Sequence, residues 1–159
     1  LNYINSGYRH IVEIDLKGFF DEVDHCLLLY LLYRKIRCPI TMQLIRRWLR
    51  APIWVNGKLT KRRKGVPQGS PISPLLSNIM LHELDTEMER QGLGFVRYAD
   101  DFSIYCKTKS EAREKGNKIY LYLRDKLKLS INREKSGIFT NCLFSVVFMS
   151  SLTLGSGDR

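Results

Sequence analysis

The stretch Phe95-Val-Arg-Tyr-Ala-Asp-Asp-Phe-Ser-Ile-Tyr-Cys106 determines the fold that we expect for this chain. Apolar and β-prone residues lead into Asp100-Asp101, and a second β-prone run follows, which predicts a hairpin with two adjacent carboxylates at or beside its tip. Adjacent carboxylates repel, and apolar flanking strands would partly remove them from water, so the pair is unfavourable unless a cation lies between them. An ordinary turn is the alternative interpretation, because Asp side chains often bond backbone amides in turns.

The size and charge of the chain limit the classes of protein to consider. Its 159 residues suit a single domain with one core, and a hydrophobic content of 44% allows that core to form. Twenty-six Lys and Arg against sixteen Asp and Glu give a formal charge of +10. Such a surplus on a small domain predicts a polyanionic partner, with nucleic acid favoured over an anionic membrane.

The cysteines and the absence of targeting signals predict a reducing, cytoplasmic location. Cys26, Cys38, Cys106 and Cys142 lack C-x-x-C spacing and lie within apolar runs, which favours free and mostly buried thiols over zinc ligands or disulfides. We find no signal peptide and no apolar run long enough to span a membrane. Because the first residue is Leu, we expect the chain to be a piece of a larger protein.

Local patterns predict alternating strands and helices. Residues 9–16 form a β-type run that ends near Asp15, and Asn56-Gly57 predicts a type I′ hairpin between 53–55 and 58–60. The predicted helices are residues 25–36 capped by Asp24, residues 40–50, a helix opened by Ser73 and Pro74 and closed by Gly92, and residues 111–128 capped by Ser110. Residues 129–140 are expected to be extended. Leu76, Met80, Leu84 and Met88 recur at four-residue steps and predict a core stripe.

The segment 46–64 is strongly basic. It contains eight basic residues and no acidic one: Arg46, Arg47, Arg50, Lys58, Lys61, Arg62, Arg63 and Lys64. A solvated charged face is the usual explanation of such a run. Here Trp48 and Trp54 are interleaved with the charges and the whole chain is basic, so we favour a surface that binds a nucleic-acid backbone.

Three carboxylates are expected to meet at one edge of a sheet. Asp15 ends one predicted strand and Asp100-Asp101 lie at the hairpin tip, so pairing of the hairpin beside the first strand would bring them together. In a basic protein, such a cluster suits two Mg²⁺ ions about 4 Å apart during attack of a hydroxyl on phosphorus. The element pattern predicts an α+β fold, an antiparallel sheet with helices packed on one face.

Four segments, in order, resemble the palm motifs of reverse transcriptases of the group II intron-encoded type (maturase/reverse transcriptase). They are Ile14-Asp-Leu-Lys-Gly-Phe-Phe-Asp-Glu-Val-Asp-His25, Gly65-Val-Pro-Gln-Gly-Ser-Pro-Ile-Ser-Pro-Leu-Leu-Ser-Asn78, Arg97-Tyr-Ala-Asp-Asp-Phe102 and Leu129-Ser-Ile-Asn-Arg-Glu-Lys135. Tyr-Ala-Asp-Asp alone would be a weak signal, whereas four ordered motifs over residues 10–138 are specific. The resemblance implies a polymerase palm within a right-hand fold.

The resemblance also implies roles for individual residues. Asp15, Asp100 and Asp101 correspond to the catalytic, metal-binding carboxylates, which use Mg²⁺, for which Mn²⁺ can substitute. Lys135 corresponds to a motif lysine assigned to the triphosphate end, with a solvated lysine as the alternative. The residues at nucleotide-binding positions are Phe20 (the aromatic steric gate against a ribose 2′-hydroxyl), Gln68 and Gly69 of the Pro-Gln-Gly loop, and Tyr98. A core aromatic is the alternative for Phe20.

The resemblance covers only part of a polymerase. Residues 1–138 correspond to the palm, fingers and thumb are missing, and residues 139–159 form a tail of uncertain structure, an edge strand or an unnatural terminus. We expect an RNA-directed DNA polymerase palm whose partners are an RNA template (intron RNA), a DNA primer and deoxynucleoside triphosphates, and that is weakly active or inactive as a fragment. A non-catalytic RNA-binding splicing module is the alternative. An RNA-dependent RNA polymerase is the third, and the gate at Phe20 argues against it.

Overall fold

The computed structural model describes residues 7–140 of the chain. Six strands and five α-helices alternate along this part. The strands are β1 (His10–Ile14), β2 (Ile53–Val55), β3 (Lys58–Thr60), β4 (Gly94–Tyr98), β5 (Asp101–Cys106) and β6 (Gly137–Thr140). The helices are α1 (Phe19–Glu22), α2 (His25–Lys35), α3 (Pro39–Leu49), α4 (Ser73–Arg90) and α5 (Lys109–Tyr122), and one π-helical turn (Leu123–Leu127) follows α5.

Four strands form one antiparallel sheet in the order β4-β5-β1-β6. The central strand β1 pairs with β5 from His10 opposite Cys106 to Ile14 opposite Phe102, and with β6 on its other edge. The strands β2 and β3 form a separate hairpin. The predicted α+β fold with an antiparallel sheet is therefore confirmed.

The helices cover the sheet through the predicted apolar stripes. Met80, Leu84 and Met88 of α4 have no exposed surface, and Leu76 has 1%, so the predicted stripe is core. Helix α5 contacts β1, β5 and β6. Its Gly116 permits close approach to the sheet, since a Cβ there would lie 3.1 Å from a methyl group of Val12.

Two predicted helix caps are wrong. Helix α4 begins at Ser73 without a side-chain cap, because the Ser73 hydroxyl donates to the carbonyl of Pro67. Helix α5 is capped by Thr108, whose hydroxyl accepts from the Glu111 amide, so Ser110 lies inside the helix. The Asp24 cap is confirmed by a 2.8 Å bond from the Leu27 amide.

The segment after α5 is less extended than predicted. The π-helical turn ends at Leu127, and the next residue, Lys128, has a φ of 58°. Between it and β6, only the bridge between Leu16 and Ile131 continues the sheet pattern. Strand β6 runs across the expected boundary at residue 138, and the remainder of the expected tail, 141–159, lies outside the described residues.

The thiols are more exposed than the sequence predicts. Cys106 is buried, whereas Cys26 and Cys38 are exposed, and all three are free. Cys142 lies outside the described residues. Among residues 7–140, no helix combines the length and apolar content that a bilayer crossing requires.

Candidate active site

Asp15 directly follows the central strand β1, and its backbone is hydrogen-bonded to the segment 130–136. Its amide donates to the Ser136 hydroxyl at 3.1 Å, and its carbonyl accepts from the Asn132 amide at 2.8 Å. The Lys17 amide donates to the Ser130 carbonyl at 2.8 Å. These bonds place Asp15 between the end of β1 and the segment 130–136, so its position does not depend on β1 alone.

Of the two adjacent carboxylates, Asp100 lies in a two-residue turn and Asp101 begins the strand that follows it. Tyr98 of β4 pairs with Asp101 of β5, so Ala99 and Asp100 form the turn between them. Since Ile14 pairs with Phe102, the next residue on each strand brings Asp15 beside Asp101. Ala99 has a φ of 53°, a left-handed conformation that costs a residue with a Cβ about 1–2 kcal/mol.

Arg97 links this turn to helix α4 through an ion pair and hydrogen bonds. Its guanidinium forms a two-pronged ion pair with Asp85, at 2.7 Å from Nε and 2.6 Å from Nη2, and its Nη1 donates to the Ala99 carbonyl at 2.8 Å. Asn78 accepts a further bond at 3.2 Å. Only 15% of the Arg97 and 19% of the Asp85 side chain is exposed, and the pairing raises the pKa of Arg97. Asp85 and Asn78 were not predicted from the sequence, in which the cationic residue two positions before the turn was the available signal.

The three predicted acids and the predicted lysine act on one another electrostatically. The pKa of Asp101 is raised to about 6 by burial, by a hydrogen bond with the Asp15 carboxyl group and by the negative charges of Asp100 and Asp15. The positive charge of Lys135 opposes this rise. The structure thus brings Asp15 and Asp101 into direct contact, with Asp100 and Lys135 near enough to affect the proton on Asp101.

The donor chemistry of this cluster fits a hard divalent cation. Carboxylate oxygens are the ligands that Mg²⁺ and Mn²⁺ prefer, and a cation would offset the repulsion that raises the pKa of Asp101. Within residues 7–140, no group of three or more His, Cys, Asp or Glu side chains is arranged to hold a metal ion. The cluster is therefore a converging carboxylate pair with a third acid in the adjacent turn.

Phe20 lies on α1, half-buried against the core. Its ring meets that of Phe19 edge to face, with centroids 5.6 Å apart. The Phe20 carbonyl accepts from the Val66 amide at 2.7 Å, which joins α1 to the start of the Pro-Gln-Gly loop. Phe20 therefore contributes to the core and also lies beside this loop, so the gate role stays a prediction.

The Pro-Gln-Gly loop is anchored at its first residue. The Gly65 amide donates to the Val23 carbonyl at 2.7 Å, and the buried His25 ring bonds the Gly65 carbonyl at 2.7 Å. Gly65 has a φ of +82°, and a Cβ there would lie 2.9 Å from the Asp21 carbonyl oxygen. No larger residue fits without displacing backbone.

The other predicted nucleotide-binding residues are exposed. Gln68 donates weakly to the Asp21 carboxylate at 3.4 Å, and Gly69 has a φ of +78° with open space around its Cα. Tyr98 is 64% exposed at the end of β4, opposite Asp101. The side chains of Gln68 and Tyr98 and the backbone of Gly69 are therefore accessible to a ligand.

The basic segment is divided between a helix and a hairpin. Arg46, Arg47 and Arg50 are exposed at the end of α3, Lys58 is exposed in β3, and Lys61, Arg62, Arg63 and Lys64 follow β3. Within residues 7–140, Lys64 alone of the eight forms an ion pair, at 2.7 Å with Glu22. Lys64 is therefore partly neutralised, which the sequence did not reveal.

Comparison with known proteins agrees with this architecture. Group II intron-encoded protein LtrA of Lactococcus lactis subsp. cremoris is 28% identical over 195 residues, covering 82% of this chain and 33% of LtrA. Protein YkfC of Escherichia coli (strain K12) is 30% identical over 164 residues, covering 82% of this chain and 43% of YkfC. The chain thus spans less than half the length of these two relatives.

Solved structures share the fold at low sequence identity. Apo telomerase from Candida tropicalis, truncated of its C-terminal domain, superposes with a TM-score of 0.69 and 14% identity, covering 89% of this chain and 34% of that one. The model of the family described as "Reverse transcriptase (RNA-dependent DNA polymerase)" matches residues 2–150, nearly the whole sequence. The chain therefore belongs to the reverse transcriptase family.

Proposed function

We propose that this chain is the palm of an RNA-directed DNA polymerase of the group II intron type, within a longer protein. The observation that carries the proposal is the contact between Asp15 and Asp101, which brings acids from two separate motifs together at one sheet edge. Residues 1–138 form the palm in this proposal, and residues 139–159 are a C-terminal tail to which no structure is assigned. The expected setting is cytoplasmic.

Asp15, Asp100 and Asp101 would hold two divalent cations, Mg²⁺ or in its place Mn²⁺. Such ions would supply Lewis-acid activation of an attacking hydroxyl and stabilisation of a leaving oxygen at phosphorus. Burial and the neighbouring carboxylates make Asp101 hold its proton more tightly, and an approaching cation would favour loss of that proton by offsetting their charge. Lys135 would attract the triphosphate, since it already lies close enough to influence Asp101.

The remaining predicted residues would position substrate. Phe20 would exclude a ribose 2′-hydroxyl, and its backbone link to Val66 supports a role beside the Pro-Gln-Gly loop. Exposed Gln68, Gly69 and Tyr98 would contact the incoming deoxynucleoside triphosphate and the template. The basic segment 46–64 would bind the backbone of the RNA template or of the DNA primer.

Primer extension by the full-length parent protein tests this proposal. Asp100→Asn should lower deoxynucleotide addition at least ~100-fold, because the variant removes a charge that offsets those of the cations. Asp125→Asn is the matched control, since Asp125 is an exposed acid paired with Arg124 away from the cluster. Equal extension by both variants would refute the catalytic role and leave the splicing module, which should still bind RNA in excess chelator.

A further inference from the structure

The hairpin of β2 and β3 presents apolar side chains to solvent. Its turn residues Asn56 and Gly57 have φ values of 49° and 76°, as a type I′ turn requires. Trp54 and Leu59 are cross-strand partners, so their side chains project from the same face. Trp54 is 72% exposed and Leu59 is 64% exposed. This face is a flat apolar surface with no cover in the described part of the chain.

Positive charge lies beside this face. Exposed Lys61 and Arg63 follow β3 directly, whereas Lys58, the strand neighbour of Leu59, projects from the opposite face of the hairpin. No acidic residue occurs between Arg46 and Lys64. An apolar surface of another protein would gain little binding energy from these positive charges. A polyanion that also carries flat apolar groups matches both the charges and the indole ring.

The geometry selects an unpaired strand over a duplex. In a duplex the faces of the bases are stacked on one another, and only edges, sugars and phosphates meet the protein. In a single strand each base offers a free face that stacks on an aromatic side chain while cations follow the phosphates. An indole beside a leucine side chain is large enough to receive one such face.

We propose that Trp54, supported by Leu59, is a stacking site for an unpaired base of single-stranded RNA whose phosphates lie against Lys61 and Arg63. This inference rests on the proposed RNA-binding function of the segment 46–64 and assigns it a strand type and a contact residue. The site lies on the hairpin, on elements separate from the carboxylates of Asp15 and Asp101.

Fluorescence anisotropy of a labelled uridine oligonucleotide, titrated with the 159-residue chain at several salt concentrations, tests the proposal. Trp54→Ala should weaken binding about 5- to 150-fold with an unchanged slope of log affinity against log salt. Trp54→Phe should retain most of the affinity, because it keeps an aromatic face. Tyr30→Ala is the matched control, since Tyr30 is also an exposed aromatic residue, at 61%, but lies on α2. The tryptophan fluorescence of Trp54 alone is obtained by subtracting the emission of Trp54→Phe from that of the wild type. This difference should decrease when the oligonucleotide binds.

The outcomes separate the two proposals. If Trp54→Ala binds the oligonucleotide as tightly as the wild type and its affinity still falls steeply with salt, the stacking proposal is wrong and phosphate-backbone binding remains. An equal loss of affinity for a hairpin duplex would also overturn it, because stacking requires a free base. Absence of salt-dependent binding by the wild-type chain would instead overturn the nucleic-acid role of the segment 46–64. Because Trp54 is mostly exposed, its variants should fold, and circular dichroism checks this.

Discussion

Replacing Asp101 by Asn should make the metal-free chain more stable at pH 8. Partial burial of the Asp101 carboxylate, its hydrogen bond with Asp15 and the negative charges of Asp100 and Asp15 raise its pKa from the ordinary 3.8 to about 6. A raised pKa means that the native state binds the proton more tightly than the unfolded state does. The negative charge on Asp101 therefore destabilises the fold, fully above about pH 6 and not at all below about pH 3.8.

The size of the effect follows from that pKa. A rise from 3.8 to about 6 corresponds to ~3 kcal/mol at ~1.36 kcal/mol per pKa unit. Asp101 is exposed, so solvent screening reduces this figure, and we expect about 1 kcal/mol. Urea denaturation in excess chelator measures the free energy of unfolding. Asp101→Asn should exceed the wild type by about 1 kcal/mol at pH 8, and the gain should vanish as the pH falls through 4.

Asp125→Asn is the control for this comparison. The Arg124 guanidinium holds the pKa of Asp125 below its ordinary value, so loss of this carboxylate should give no gain at pH 8. A gain in Asp101→Asn that is equal at pH 4 and pH 8 would refute the electrostatic reasoning. A loss of stability at pH 8 would show instead that the Asp101 carboxylate stabilises the turn.

Four further outcomes are expected. Arg97→Gln should lower the free energy of unfolding by about 3 kcal/mol in urea denaturation, because it leaves the largely buried Asp85 unpaired. The double variant Arg97→Met with Asp85→Leu should recover most of this loss, and full stability of Arg97→Gln would contradict the expectation. Gly65→Ala should cost about 2 kcal/mol or more in the same assay, since φ is +82° and the Cβ meets the Asp21 carbonyl; Gly69→Ala, with open space, is the control. Phe20→Val in the full-length parent should relax discrimination against ribonucleotides more than it lowers deoxynucleotide use, and an unchanged ratio of the two rates would return Phe20 to the core. The chain alone should extend a primed RNA template little or not at all, because positioning supplies much of the catalysis; robust extension abolished by Asp100→Asn would contradict this.

Local signals in the sequence predicted most elements, because their causes lie within a few residues. Asn56-Gly57 fixes a turn by its own φ values, and Asp24 caps α2 by bonding the amide three residues later. Ser73 and Ser110 were misassigned for a different reason. The Ser73 hydroxyl is used by the distant Pro67 carbonyl, and Thr108 occupies the capping position before Ser110 does.

The site was predictable to the extent that it follows strand ends. Asp15 and Asp101 meet because β1 and β5 are adjacent and in register; the sequence predicted where each strand ends, whereas the pairing of the two strands was an assumption. The ion pair of Arg97 with Asp85 was not predictable, since it depends on how α4 packs beside β4. Likewise, nothing in the sequence places Ser136 and Asn132 around the backbone of Asp15.

The position of β1 in the middle of the sheet has a consequence for folding. It is the first strand of the described chain, yet both of its neighbours come from late in that chain, and the Thr140 hydroxyl meets His10 across 130 residues. Such non-local pairing predicts slow folding, with both edges of β1 unsatisfied until β5 and then β6 leave the ribosome. Asp15 and Asp101 therefore meet only after β5 has left the ribosome, and a shorter nascent chain exposes both edges of β1 to intermolecular strand addition.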